Sequence, residues 1–138
     1  MPKLIELEAD GVTVVAALHE DLAPKAVGRL WEVLPIEQTL RHVRWGGNAA
    51  YVLVPELKDP ALPLENQVSF YVPGTIGYRP EHGELAFSYG QAQARSLEGN
   101  GWATHFATLQ GEVARFLQVL QRTQREGAKR LIIRRKEG

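Results

Sequence analysis

Leu4-Ile5-Glu6-Leu7-Glu8-Ala9-Asp10-Gly11-Val12-Thr13-Val14-Val15-Ala16-Ala17-Leu18 sets two β-rich runs around an Asp-Gly pair. Asp-Gly supplies the positive φ angles of a tight hairpin turn, so this stretch predicts two antiparallel strands. Pro24 follows, and a missing N–H costs nothing in the first turn of a helix. Val27, Leu30, Trp31 and Leu34 then recur at i, i+3, i+4 and i+7, the spacing of a core-facing helical stripe. A helix at about residues 23–34 is expected, stopped by Pro35, with Asp21 on the side its dipole favours.

Further along, Leu40-Arg41-His42-Val43-Arg44-Trp45 and Ala49-Ala50-Tyr51-Val52-Leu53-Val54 flank Gly46-Gly47-Asn48 and predict a second hairpin. Residues 56–66 hold Pro60, Pro63 and several charges, as an exposed connection does. Strand signals return at 67–72, 75–78 and 85–89, with residues 80–84 as a turn. Residues 91–101 are polar, carry glycine and show neither period, which predicts a loop bordering a site. His105-Phe106-Ala107-Thr108-Leu109 reads as a strand. Val113, Phe116, Leu117 and Leu120 then mark a second helix at about 112–126, with Gly127 as its stop and Leu131-Ile132-Ile133 as a last strand.

That order gives a mainly β fold: one antiparallel sheet closing into a barrel, with the two helices over its open ends. An open sandwich with both helices on one face is the competing arrangement. The 138 residues fit a single domain spanning 1–138, and 44% hydrophobic with 23% charged residues is a globular composition. Sixteen basic residues cancel sixteen acidic ones, so no global field draws in nucleic acid or an anionic membrane. The start Met1-Pro2-Lys3-Leu4 lacks the pattern of a secretory signal, and no window nears 18 consecutive apolar residues. With no cysteine either, the expectation is a soluble cytoplasmic protein.

The strand and helix order, nearly end to end, resembles the cyclophilin-like barrel. Leu22-Ala23-Pro24-Lys25-Ala26-Val27 is similar to the start of the first cyclophilin helix, and Thr104-His105-Phe106 through Gly111-Glu112-Val113 to the strand entering its second. Leu34-Pro35, Arg44-Trp45-Gly46, Gly77-Tyr78-Arg79-Pro80 and the run from Gly83 to Tyr89-Gly90 look closest to small bacterial cyclophilin-like proteins of unknown function. The resemblance implies a pocket for a small molecule or short peptide and, as the alternative, peptidyl-prolyl isomerase activity. An isomerase lowers a rotation barrier of roughly 18–20 kcal/mol by weakening amide resonance, and Arg44 or Arg41 would stand for the family's arginine. Trp102 and His105 resemble residues of its later pocket wall. Trp45-Gly46-Gly47-Asn48 departs from the family's gripping surface, and Met1 is the only methionine.

His42 and Arg44, two apart on one predicted strand, would share a sheet face. Tyr78, Phe87, Tyr89 and Trp102 would add aromatic surface, and His105 a second imidazole, forming an aromatic Arg–His pocket. A guanidinium fork suits a carboxylate, and imidazole changes charge near neutrality. The alternative is that the aromatics fill the barrel core while Arg44 and His42 are solvated or tied to nearby acids. His19, His42, His82 and His105 are dispersed without metal-ligand spacing, so no metal is expected. Ser69, Ser88 and Ser96 lack a nucleophile elbow. Gly99-Asn100-Gly101 does not lead from a strand into a helix, so it reads as a turn and no cofactor is expected. The basic tail, Lys129-Arg130 and Arg134-Arg135-Lys136, lacks the aromatic platforms of a nucleic-acid binder. Oligomerisation through an edge strand or residues 56–66 is left open.

Overall fold

The structure is a computed structural model describing residues 2–136. The first hairpin forms as the sequence requires: β1 (Leu4–Ala9) and β2 (Val12–Leu18) pair in register from Ala9↔Val12, with Asp10 at φ 52° and Gly11 at φ 76° in the turn. α1 (Pro24–Val33) follows, then β3 (Ile36–His42) and β4 (Gly47–Leu53). Two short strands, β5 (Gln67–Val68) and β6 (Phe70–Tyr71), precede β7 (Thr75–Arg79) and β8 (Glu84–Gln93). The small hairpin of β9 (Arg95–Ser96) and β10 (Gly99–Asn100) leads to β11 (Ala103–Gln110), α2 (Val113–Glu126) and β12 (Lys129–Lys136).

Eight strands run in the order β2-β1-β12-β3-β4-β8-β7-β11, and β11 pairs back onto β2, so the antiparallel sheet closes on itself. A barrel of this size is filled by side chains rather than left open. Alternate residues point inward: Ile5 and Leu7, Val14 and Ala16, Ala50 and Val52, Leu85 and Phe87 belong to one buried cluster. Phe116, Val119 and Leu120 of α2 join it. That helix touches β2, β3, β4 and β8, strands from around the ring that one helix reaches together only across an open end. Ala26, Val27 and Leu30 of α1 belong to the same cluster.

Five expectations are corrected, each by a tertiary partner that local sequence does not show. The second hairpin turns one step earlier than Gly46-Gly47-Asn48. β3 ends at His42, and Gly47 at φ 95° already pairs with Ala92 of β8. Residues 67–72 form two strands rather than one, because Gln67–Val68 joins β11 while Phe70–Tyr71 joins β8. The predicted loop 91–101 holds the end of β8 and the β9–β10 hairpin. The last strand runs from Lys129 to Lys136, since β1 and β3 pair with it on both sides.

The fifth correction concerns α1, whose exposed N–H groups are met not by Asp21 but by Glu65. The Lys25 and Ala26 amides donate to its carboxylate at 3.2 and 2.9 Å, an acceptor placed where the helix dipole stabilises an anion. Asp59 accepts from Arg29 of α1 at 2.6 Å, and Leu57 is fully buried. The proline-bearing connection is thus pinned to the barrel. The basic tail is paired as well: Arg134 reaches Glu6 at 3.2 Å and Glu8 at 2.9 Å on β1, and Arg130 reaches Glu37 on β3 at 2.7 Å.

Candidate functional site

On β4, β8 and β7 the residues between the core positions face out of the barrel: Ala49, Tyr51 and Leu53, then Glu84 and Ala86, then Gly77 and Arg79. An outward face usually meets water. Here it is covered, because Tyr71, Ala92, Ala94 and Ala103 pack on Ala49 and Ala86 as a second buried cluster. All five residues of β7 are consequently buried, on both faces of the sheet. Between this cover and the sheet lies a cavity of about 330 Å³, at the small end of the range for small-molecule sites.

Two glycines make the cover fit. A Cβ on Gly77 would stand 2.8 Å from the Tyr71 hydroxyl oxygen, and one on Gly101 would stand 3.1 Å from Arg79 Nη2. The Tyr71 ring lies against bare backbone, and the Arg79 guanidinium runs beside Gly101. Glycine inside a strand marks such a close approach.

Apolar wall comes from Val43, Trp45, Tyr51 and Leu53. The charged lining is uneven: Arg44, Lys58, Arg79 and Arg95 bring four cations, with His82 beside them, against the single carboxylate of Glu84. Arg79 is only 5% exposed. Its one ion pair among the described residues is Nη2 to Glu81 at 3.5 Å, and Glu81 is itself exposed and also 3.3 Å from His82. Arg79 Nε and the Tyr71 hydroxyl are buried without a hydrogen-bond partner among the described residues. Burial raises the carboxyl of Glu84 above its ordinary value against the opposing pull of Arg79 and His82, and it raises the Tyr71 phenol further still. Tyr71 therefore stays a neutral hydroxyl throughout the physiological range.

Since a buried hydroxyl without a partner carries its full desolvation penalty, Tyr71→Phe is expected to stabilise the free protein by about 1 kcal/mol. Chemical denaturation of the two proteins measures the difference. A loss of stability would mean that the hydroxyl has a partner.

Of the residues singled out from sequence, Arg44 lines this cavity. It lies in the turn after β3, not in a strand, with its guanidinium 5.7 Å from the Trp45 ring centroid. His42 is not beside it. Its Nδ1 donates to the Val43 carbonyl at 2.7 Å, which leaves Nε2 to accept from the Tyr89 hydroxyl at 2.8 Å. Tyr78 and Phe87, each 1% exposed, point into the barrel core, and Tyr78 donates to the Leu57 carbonyl. Trp102 is 54% exposed and borders a neighbouring depression with Pro60, Leu62 and Pro80, which shares Arg79 with the cavity. The pocket expected from these seven residues is therefore not assembled. The histidine that lines the cavity with Arg44 is His82, not His42. Tyr71, Arg79 and Glu84 were missed, although Gly77 within an otherwise continuous strand signal was a clue to them.

His105 belongs to another cluster. Its Nε2 and that of His19 lie 3.1 and 2.8 Å from the same Thr108 hydroxyl, with the rings edge-on at 5.1 Å. The hydroxyl has one proton and two lone pairs, so it donates to at most one of the two imidazoles. Burial, reinforced by His19, holds His105 below the ordinary 6.5. The folded state then binds fewer protons than the unfolded chain, so the stability present above about pH 6.5 is lost as pH falls through the lowered value. His105→Gln is expected to flatten this decline. Urea midpoints at pH 7.5 and pH 5 measure it, and equal slopes in both proteins would refute it.

These features define a class: an eight-stranded antiparallel barrel with two helices and a cation-rich cavity on its outer face. Residues 5–133 match the family described as "Protein of unknown function (DUF3830)", and the chain belongs to that family. Two solved structures share the fold. One, described as the structure of McbB in complex with tryptophan, superposes with a TM-score of 0.76 at 21% identity over 97% of this chain. This chain covers 45% of McbB, less than half its length. The other is the solution structure of the hypothetical protein AF2241 from Archaeoglobus fulgidus, with a TM-score of 0.61 at 13% identity over 98% of this chain and 95% of that one. No curated protein matches the sequence. Among the described residues, no helix is long and apolar enough to cross a membrane and no group of three or more metal-binding side chains occurs.

Proposed function

We propose that the chain binds a small carboxylate-bearing molecule in the outer-face cavity. The observation that carries this reading is Arg79, a nearly buried guanidinium on the cavity wall whose only countercharge contact among the described residues is the long one to exposed Glu81. A buried cation without full compensation is unfavourable, and an anion in the cavity supplies the missing charge. Arg44, Lys58 and Arg95 add to the attraction, and Trp45, Tyr51 and Leu53 accept an apolar body. A volume of about 330 Å³ suits a small molecule better than a peptide. McbB, with the same barrel, was solved with tryptophan, a ligand that carries a carboxylate and an aromatic ring. The isomerase alternative has less support, because Arg44 sits on a turn over its own neighbour rather than on a strand beside a gripping surface.

Calorimetric titration with a panel of small carboxylates that includes 3-phenylpropionate and L-phenylalanine tests the proposal. Saturable binding that weakens in Arg79→Gln is expected. A panel that gives no heat and no shift in melting temperature would sink it, since ligand binding to the native state raises apparent stability.

A further inference from the structure

Arg79 and Glu84 are direct register partners across the β7–β8 pair and both project from the outer face into the cavity wall. Neighbours of opposite charge in that position ordinarily form an ion pair. These do not: the contact within 4 Å made by Arg79 is to Glu81, in the turn that follows it. Glu84 is left as the one carboxylate among the cations of the lining, partly buried, with no hydrogen bond among the described residues that brings it a donor. The wall thus presents a positive and a negative group side by side, the first held by the long contact to exposed Glu81 and the second by no ion pair among the described residues, with the apolar strip of Tyr51 and Leu53 on the neighbouring strand β4.

We infer that the ligand is a zwitterion of the α-amino acid type with an apolar or aromatic side chain, its carboxylate on Arg79 and its ammonium on Glu84. The inference rests on the carboxylate-binding reading above and goes beyond it by assigning Glu84 a role. An anion alone satisfies Arg79 but is repelled by Glu84, and a cation alone meets four like charges. A molecule carrying both charges on one carbon meets both groups, which stand on directly paired residues of neighbouring strands.

Three compounds of one carbon framework decide the matter on the wild-type protein: L-phenylalanine, 3-phenylpropionate, which lacks the amine, and phenethylamine, which lacks the carboxylate. Phenylalanine is expected to bind at least about tenfold more tightly than 3-phenylpropionate, with phenethylamine weakest. In Glu84→Gln the order of the first two should reverse, because the ammonium loses its countercharge and the lone carboxylate loses a repulsion. Equal binding of phenylalanine and 3-phenylpropionate overturns the zwitterion while leaving the carboxylate reading intact. Binding by none of the three overturns both. An unchanged preference for phenylalanine in folded Glu84→Gln also overturns the role given to Glu84.

Discussion

Phe87→Ala is expected to lower folding stability by about 3–5 kcal/mol, a large share of the roughly 5–15 kcal/mol by which such domains are stable. Phe87 is 1% exposed and its neighbours across the sheet are Ala50 and Ile76. Truncation removes a ring from the middle of a closed barrel whose walls are fixed by hydrogen bonding, so the void does not collapse. The sequence had placed Phe87 in a ligand pocket, and the measurement separates the two positions. A lining residue loses affinity and little stability when shortened, whereas a core residue shifts the urea midpoint. A change under about 1 kcal/mol would return Phe87 to the surface.

The second large effect belongs to binding. Arg79→Gln should weaken the tightest-binding carboxylate of the titration panel by at least about 30-fold, because removing one member of a desolvated charge pair costs about 2–5 kcal/mol. Arg44→Ala, on the exposed turn, should change the same affinity only a few-fold, as rim charges do. Circular dichroism of both variants guards against a trivial loss of fold. Equal effects at the two arginines would show that the cavity attracts its ligand through surface charge alone and that the buried guanidinium has no special part.

The barrel was largely legible because its signals are local. Asp10-Gly11 fixes a turn, the 3.6-residue stripes of Val27 to Leu34 and Val113 to Leu120 fix two helices, and alternation fixes most strands. The candidate site was not legible, for a physical reason that recurs at several residues. Phe87 and Tyr78 look identical in sequence whether an aromatic faces inward or outward, since one residue of register decides it. His42 and Arg44 shared a face only if β3 ran through both, and it ends at the first. Glu65 caps a helix 39 residues away, and no helix-start rule looks that far. Arg79 reads as an ordinary surface arginine until Gly101 and the cover of Tyr71 are seen to enclose it.

The seat of β12 between β1 and β3 has a consequence for how the protein is made. This strand supplies two of the eight seams of the cylinder, joining Lys136 to Leu4 and Lys129 to Leu40. Neither seam exists until residues 129–136 have left the ribosome, so the growing chain holds an unzipped sheet whose oily interior and bare edges face the cell. Synthesis at about 5–20 residues per second keeps it in that state for several seconds. Truncation before residue 129 is accordingly expected to yield a sticky, chaperone-bound species rather than a smaller barrel.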